Sequence, residues 1–253
     1  KLHAGELEYQ TFANAFPFEE TADQSEAIAR VLADLERPVP MDRIICGDVG
    51  FGKTEVAMRA AFVAVQSARQ VVVLVPTTLL AEQHAQSFRD RFADWPVRIE
   101  VLSRFRGRGA ADAVLADFEN GKVDILIATH KLLHADARAS RLGLLVVDEE
   151  HRFGVRDKER LKALRAEVHV LTLTATPIPR TLNMALGGLR ELSLISTPPA
   201  SRLAIKTFVC EWHGPTLRDA CLRELRRGGQ IYLVHNEVQG IEKVAAEFAA
   251  LVP

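Results

Sequence analysis

The chain has 253 residues, 48% of them apolar and 26% charged, the mix of a globular polypeptide that can bury a sizeable core and not of a disordered polymer. At about 150 residues per domain, this length holds one full domain and something smaller. Lys plus Arg total 32 against 33 Asp plus Glu, a net charge of −1, so a basic coat is excluded and any nucleic-acid contact must be focal.

Residues 1–24 hold no long periodic run and read as a lead-in segment. The chain opens at Lys1 without a Met or a basic-then-apolar leader, the expectation for an excerpt. Within the lead-in, Phe16-Pro17-Phe18 precede Thr21 and Gln24. A side-chain amide pairs with the donor and acceptor edge of adenine while an aromatic ring covers its face. Taken alone, Phe as core and Gln as helix surface is the simpler account.

From residue 43 onward, β-branched runs alternate with Ala-rich amphipathic stretches. This is the pattern of βαβ units in an open, mostly parallel sheet covered by helices on both faces. The strand at 43–46 runs into Gly47-Asp48-Val49-Gly50-Phe51-Gly52-Lys53-Thr54 and then a helix over 53–67. This is G-x-x-x-x-G-K-[ST] in its required strand–loop–helix context. Backbone N–H groups and a helix N-terminus would cradle phosphates there, Lys53 would reach the β and γ oxygens, and Thr54 would ligate Mg²⁺.

The strand 71–75 leads through Pro76-Thr77-Thr78 into a helix over 78–92, on which Leu79, Leu80, His84 and Phe88 recur near helical spacing. A strand at 97–102 leads to Ser103-Arg104-Phe105-Arg106-Gly107-Arg108, and a helix is expected over 110–119. The strand at 124–128 leads to Thr129-His130-Lys131. Hydroxyls, guanidinium groups and helix N-termini are what hold nucleic-acid backbones. Three such loops along one sheet edge make Thr77, Thr78, Arg104, Arg106, Thr129, His130 and Lys131 phosphate-contact candidates, although one Arg-rich loop alone is usually a solvated turn.

The strand 143–147 ends in Asp148-Glu149-Glu150-His151, placing carboxylates at the crevice where ligands bind in parallel sheets. Asp148 would hold Mg²⁺ and Glu149 would accept the proton of an attacking water. His151 would relay between nucleotide and a second ligand, or satisfy a local backbone group. A helix over 156–164 precedes a strand at 169–173. There Thr174 and Thr176 are candidates for sensing the γ-phosphate, a local hydroxyl turn being the alternative.

After Thr197-Pro198-Pro199 the composition shifts. A β-like run over 203–210, a helix over 215–227, a strand at 230–235 and a helix over 237–250 would open a second α/β unit. The expected organisation is a lead-in over 1–24, a nucleotide-binding domain over 25–200, and a linker with an incomplete second domain over 201–253. Cys46, Cys210 and Cys221 have no CxxC spacing, which fits a reducing cytoplasm and no Cys-rich metal site. No apolar run approaches the ~18 residues of a membrane span.

Together these residues resemble the translocase module of the superfamily-two helicases, most closely the bacterial transcription-repair coupling-factor family. The resemblance runs from about Glu8 to Pro253 and rests on FPFEETADQ, CGDVGFGKTEVAMRAAF, PTTLLAEQH, SRFR, THKLL, DEEHRFGV and TATPIPRTLNMA. RecG-like helicases share much of this but typically have Gln at the position of Glu150 and lack SRFR. The resemblance implies a RecA-like P-loop domain with Phe16, Phe18 and Gln24 on adenine, residues 47–54 on phosphate, and Thr174 to Thr176 in coupling. It implies an ATP-dependent double-stranded-DNA translocase that, intact, removes stalled RNA polymerase and recruits excision repair. Motifs expected from a complete second motor domain, arginine fingers included, have no counterpart in the chain. Arg180 lies on the first lobe and is not expected to replace them, so the isolated chain should bind nucleotide and hydrolyse it poorly. An RNA helicase would show DEAD at 148–151, and a transport ATPase an LSGGQ-like signature before Leu144. A nucleotide-dependent interaction module without turnover is the non-enzymatic alternative. Replacing Arg104 and Arg106 together by Ala should weaken DNA binding about equally across sequences and lower the salt slope by about one unit per lost phosphate contact; salt-dependent binding titrations check this.

Overall fold

An extended run hides its backbone polar groups only by pairing with a neighbour, and seven runs among the described residues do so in one sheet. The computed structural model describes residues 1–102, 108–134, 139–164, 167–176, 190–200, 202 and 205–252. The strands are β1 (Asp42–Gly47), β2 (Gln70–Val75), β3 (Ile99–Leu102), β4 (Ile125–Thr129), β5 (Leu142–Asp148), β6 (His169–Thr174) and β7 (Glu191–Ile195). They form one sheet in the order β3-β4-β2-β5-β6-β1-β7, and every neighbouring pair is parallel. The sheet is thus wholly, and not only mostly, parallel. The edge strand β7 lies outside the expected set, because Glu191-Leu192-Ser193-Leu194-Ile195 is short and half polar and becomes a strand by pairing with β1.

The period-2 alternation of side chains sorts the core into two layers. Val71, Val73, Val75, Ile125, Ile127, Leu144 and Val146 face one layer; Val72, Leu74, Leu126, Ala128, Leu145 and Val147 face the other. Helices α2 (Ala22–Leu35), α3 (Lys53–Gln66) and α4 (Thr78–Arg91) cover the first, through residues such as Val31, Phe62 and Phe88. Helices α5 (Arg108–Glu119) and α6 (Val155–Leu164) cover the second through Val114, Phe118 and Leu161.

The first 24 residues are more than a lead-in. Helix α1 (Glu6–Asn14) buries Phe12 completely, its ring stacked at 4.2 Å on Phe62. One buried residue in nine gives no periodicity to detect, so tertiary contact and not local pattern fixes this helix. A buried charge cluster reinforces the attachment. Glu55 accepts from Arg59 Nε at 2.9 Å and from Arg91 Nη2 at 2.8 Å. Arg59 also pairs with Glu20, and the Arg91 guanidinium lies 3.9 Å from the Phe12 ring centre while donating to the Phe12 carbonyl at 2.7 Å.

By contact, the chain divides into two units, Lys1–Arg202 and Leu203–Pro253. The second holds helices α7 (Gly214–Arg226) and α8 (Ile241–Leu251). Neither the 203–210 run nor 230–235 forms a strand among the described residues, correcting both expectations: β-branched composition makes a strand only where a partner edge is present. Helix α8 starts four residues later than expected, at the left-handed Gly240. Among the described residues no helix is long and apolar enough to cross a membrane. Cys46, Cys210 and Cys221 are free thiols.

Asp23, in the first turn of α2, clamps the chain leaving β7. Its Oδ2 accepts from Ser196 N and Oγ at 2.8 Å each, Thr197 N at 2.9 Å and Thr197 Oγ1 at 3.0 Å. Hydrogen bonds from the Ser196 hydroxyl and amide, then those from Thr197, hold its carboxyl down at about 2 against an ordinary 3.8. A depressed carboxylate stabilises the fold above its unfolded-state value and loses that contribution as pH falls through the folded-state value. Asp23→Asn should lower Tm at pH 7 by about 2–4 °C, the shift of a ~1 kcal/mol loss in a domain this size. Between pH 4 and pH 2 it should lose less stability than the parent; thermal melts over that range check both.

Candidate functional site

Parallel register brings the chemistry to one edge. Cys46 of β1 pairs with Thr174 of β6, Gly47 with Ile195 of β7, and Asp148 of β5 with Leu173 of β6. On the other side of β5, Val147 pairs with Leu74, and Val75 pairs with Thr129. The phosphate-loop motif, the carboxylate cluster and the Thr77, Thr78 and Thr129 loops therefore all leave the sheet at its C-terminal edge, where ligands bind in open parallel sheets.

The loop over 47–54 turns as its glycines allow. Gly52 sits at φ +77°, and a Cβ there would stand 2.4 Å from Gln24 Nε2; a Cβ on Gly47 would stand 2.8 Å from the Ile195 carbonyl oxygen. Lys53 opens α3, and its ammonium donates to the carbonyls of Gly47 at 2.6 Å and Asp48 at 2.9 Å, spanning the loop. Burial pulls the Lys53 ammonium below its ordinary pKa, while the nearby Glu149 and Asp148 carboxylates pull the other way. An incoming phosphate would act in the same sense as those carboxylates. Asp48, Val49 and Gly50 are exposed, and Phe51 is half-buried.

A cavity of about 650 Å³ opens beside the loop, lined among others by Phe16, Phe18, Gln24, Gly52, Thr54 and His84. Its size is that of a small-molecule site. The Phe16 and Phe18 rings meet edge-on at 5.5 Å, and Phe18 is 63% exposed. Gln24 is more occupied than expected. It is the third residue of a capping box, its Oε1 accepting from Thr21 N at 2.9 Å, and its Nε2 donates to the Phe51 carbonyl at 2.9 Å. One lone pair and one N–H remain for a base edge, while the amide ties α2 to the phosphate loop. Thr21-x-x-Gln24 carries the capping signature in the sequence itself.

The carboxylates separate into distinct environments. Asp148 Oδ2 lies 3.0 Å from Nε2 of His84 on α4. Glu149 holds a left-handed backbone, φ +52°, which costs a non-glycine residue about 1–3 kcal/mol and clusters at functional sites. Its N–H bonds the Leu173 carbonyl at 2.9 Å, Oε1 accepts from Ala175 N at 2.9 Å, and Oε2 meets His151 Nδ1 at 3.1 Å. Glu150 is engaged elsewhere, accepting from Arg190 Nη1 at 3.1 Å.

The Thr174 hydroxyl accepts from Thr176 N at 3.1 Å, the local hydroxyl turn that was the alternative to phosphate sensing. The link from this strand end to the carboxylates runs through the Ala175 amide. Thr77 is exposed and caps α4, accepting from Leu80 N at 3.2 Å, and Thr78 begins that helix. Thr129 and His130 are half-buried; the His130 ring lies 5.3 Å from Phe153, and its Nδ1 is buried without a hydrogen-bond partner among the described residues. Arg104, Arg106 and residues 177–189, Arg180 included, lie outside the described residues, as does the Lys131 side chain. Sequence reasoning missed Arg202, which bonds Asp48 Oδ2 at 3.3 Å and lies 4.7 Å from the Phe51 ring centre. It also placed His84 only in an apolar stripe.

A family model for DEAD/DEAH box helicases matches residues 21–185, most of the first unit. The chain belongs to the DEAD/DEAH box helicase family. Its tetrapeptide at 148–151 is DEEH. The chain is 63% identical over 246 residues to the transcription-repair-coupling factor of Escherichia coli, covering 97% of this chain and 21% of that protein. The corresponding values are 60%, 97% and 22% for the Haemophilus influenzae factor, and 53%, 96% and 21% for that of Bacillus subtilis. This helicase domain thus spans about a fifth of the length of those relatives. Among solved structures, RecG bound to a three-way DNA junction matches with a TM-score of 0.84 and 27% identity, over 99% of this chain and 34% of that one. The helicase MrfA bound to DNA matches with a TM-score of 0.68 at 15% identity, over 98% and 39%, a likeness of fold.

Lys53 reaches the loop carbonyls while its backbone stays helical, so Lys53→Ala should leave the melting curve nearly unchanged. It should weaken ATP binding by about two orders of magnitude, or ~2.7 kcal/mol; a fluorescent-nucleotide titration beside a thermal melt checks both.

Proposed function

We propose that this domain is the ATP-binding lobe of an ATP-dependent double-stranded-DNA translocase which, in the intact protein, displaces stalled RNA polymerase and couples transcription to excision repair. The observation that carries the nucleotide chemistry is the alignment of the 47–54 loop with Asp148 and Glu149 at one sheet edge, beside the Phe16, Phe18 and Gln24 cavity. The duplex and polymerase partners rest on likeness to the coupling factors, at 63% identity against 27% for RecG.

Mg²⁺ suits the donor set. No group of three or more His, Cys, Asp or Glu residues able to hold a metal occurs among the described residues, and Mg²⁺ is normally held by one or two protein oxygens together with substrate phosphates. Thr54 and Asp148 are the residues assigned to it, and when bound it neutralises charge on the β and γ oxygens. Lys53 and the loop amides bind the phosphates. Glu149, oriented by Ala175 N and His151, takes the proton of the attacking water. His151, Thr174 and Thr176 belong to the segment through which loss of the γ-phosphate is passed on, with Ala175 making the direct contact. Thr77, Thr78, Arg104, Arg106, Thr129, His130 and Lys131 supply contacts to the DNA backbone.

Lys53, Thr54, Asp148 and Glu149 build one wall of a phosphoryl-transfer site. A facing arginine is worth about 10³–10⁵ in rate and is assigned to a second motor domain. The isolated chain should therefore bind Mg²⁺-ATP in preference to GTP and turn it over barely, with or without duplex DNA. A nucleotide titration run beside an ATPase assay tests this. Equal affinity for GTP would remove Gln24 from base recognition, and robust DNA-stimulated turnover abolished by Glu149→Gln would show a site complete within the chain.

A further inference from the structure

His84 makes a contact that the nucleotide chemistry above does not use. It lies on α4, a fourteen-residue helix capped by Thr77 and anchored through the buried Ala81, Ala85 and Phe88. Its Nε2 is 3.0 Å from Asp148 Oδ2, with the two side chains 11% and 15% exposed. A carboxylate only accepts, so Nε2 carries the proton of this bond. The ring is supported four residues on by Phe88, 6.5 Å away between ring centres. Asp148 is the last residue of β5, so its backbone is fixed by the sheet while its carboxyl group can still rotate. A bond to Oδ2 removes that freedom and leaves Oδ1 free of this contact.

We propose that His84 is a positioning residue that fixes the Asp148 carboxylate with Oδ1 presented to the nucleotide-bound Mg²⁺. This rests on the assignment of Asp148 as a metal ligand. Hydrogen-bonded partners of metal ligands commonly set affinity, and their loss costs about 10–100-fold. Thr54 lines the same cavity as His84 and belongs to the neighbouring helix α3, so the rotamer of Asp148 decides whether the two assigned Mg²⁺ ligands can reach one ion. Within the sequence, His84 fits the apolar spacing of α4 and looks like a core-facing position. Its partner is a strand end 64 residues away.

The test is the Mg²⁺ concentration that half-saturates binding of a fluorescent ATP analogue to the full chain, with binding in excess EDTA measured alongside. His84→Ala should raise the half-saturating Mg²⁺ about 10–100-fold and change Mg²⁺-free binding by a far smaller factor. His84→Leu, which fills the space without a donor, should behave like His84→Ala. His84→Gln, whose Nε2 can reach Asp148, should recover most of the loss. An unchanged Mg²⁺ requirement in His84→Leu, equal requirements in the Leu and Gln variants, or an equal loss with EDTA present would each overturn the positioning role. If the unaltered chain bound the analogue with no dependence on Mg²⁺, the metal assignment of Asp148 would fail first, and the role of His84 with it.

Discussion

Everything at the site depends on β6 lying between β1 and β5 in parallel register. Each neighbour pairs with β6 and not with the other, so β6 sets the spacing between the phosphate loop and the carboxylates. Cys46 opposite Thr174 and Asp148 opposite Leu173 put two strand ends level, one carrying the lysine and the other the acids. The Glu149 amide bond to Leu173 and the Ala175 amide bond to the Glu149 carboxylate extend that pairing past the end of the ladder. The left-handed backbone of Glu149 is held by these two bonds. The strain is thereby tied to the strand that also borders the phosphate loop.

A second layer of constraint holds the cavity wall that carries Phe16 and Phe18. Buried Glu55 binds two guanidinium groups, and these reach Glu20 and the Phe12 carbonyl. Burial of such charges is expensive, and a buried ion cluster is weak evidence of net stability compared with an apolar one. What it contributes here is directional. It fixes α1 and the 15–20 segment against α3 and α4, so that Phe16 and Phe18 stand where the cavity opens. Gln24 does the same from the other side by joining α2 to Phe51.

The loops that leave β2 and β4 share the edge with the nucleotide cluster. Helix α4 begins in one of them and, two turns later, presents His84 to Asp148. One continuous helix therefore joins the candidate backbone-contact residues Thr77 and Thr78 to the acid end of β5.

The sequence by itself determined the elements whose cause is local. The strand–loop–helix of 43–67 follows from glycine conformations and helix-terminus electrostatics, and the continuously apolar strands report a sheet covered on both faces. The acids at the end of β5 follow from the same logic, because a buried strand must become polar where it leaves the core. Tertiary structure decided the rest. Helix α1 and strand β7 have too little periodicity to form without the surfaces they pack on, while the apolar stretches at 203–210 and 230–235 have the composition of strands and pair with no neighbour among the described residues. The bonds of Gln24 to Phe51 and His84 to Asp148 join residues 27 and 64 positions apart. Spacing along a chain encodes which residues share a helix face or a strand face, but contacts at that separation exist only once the strand order is set.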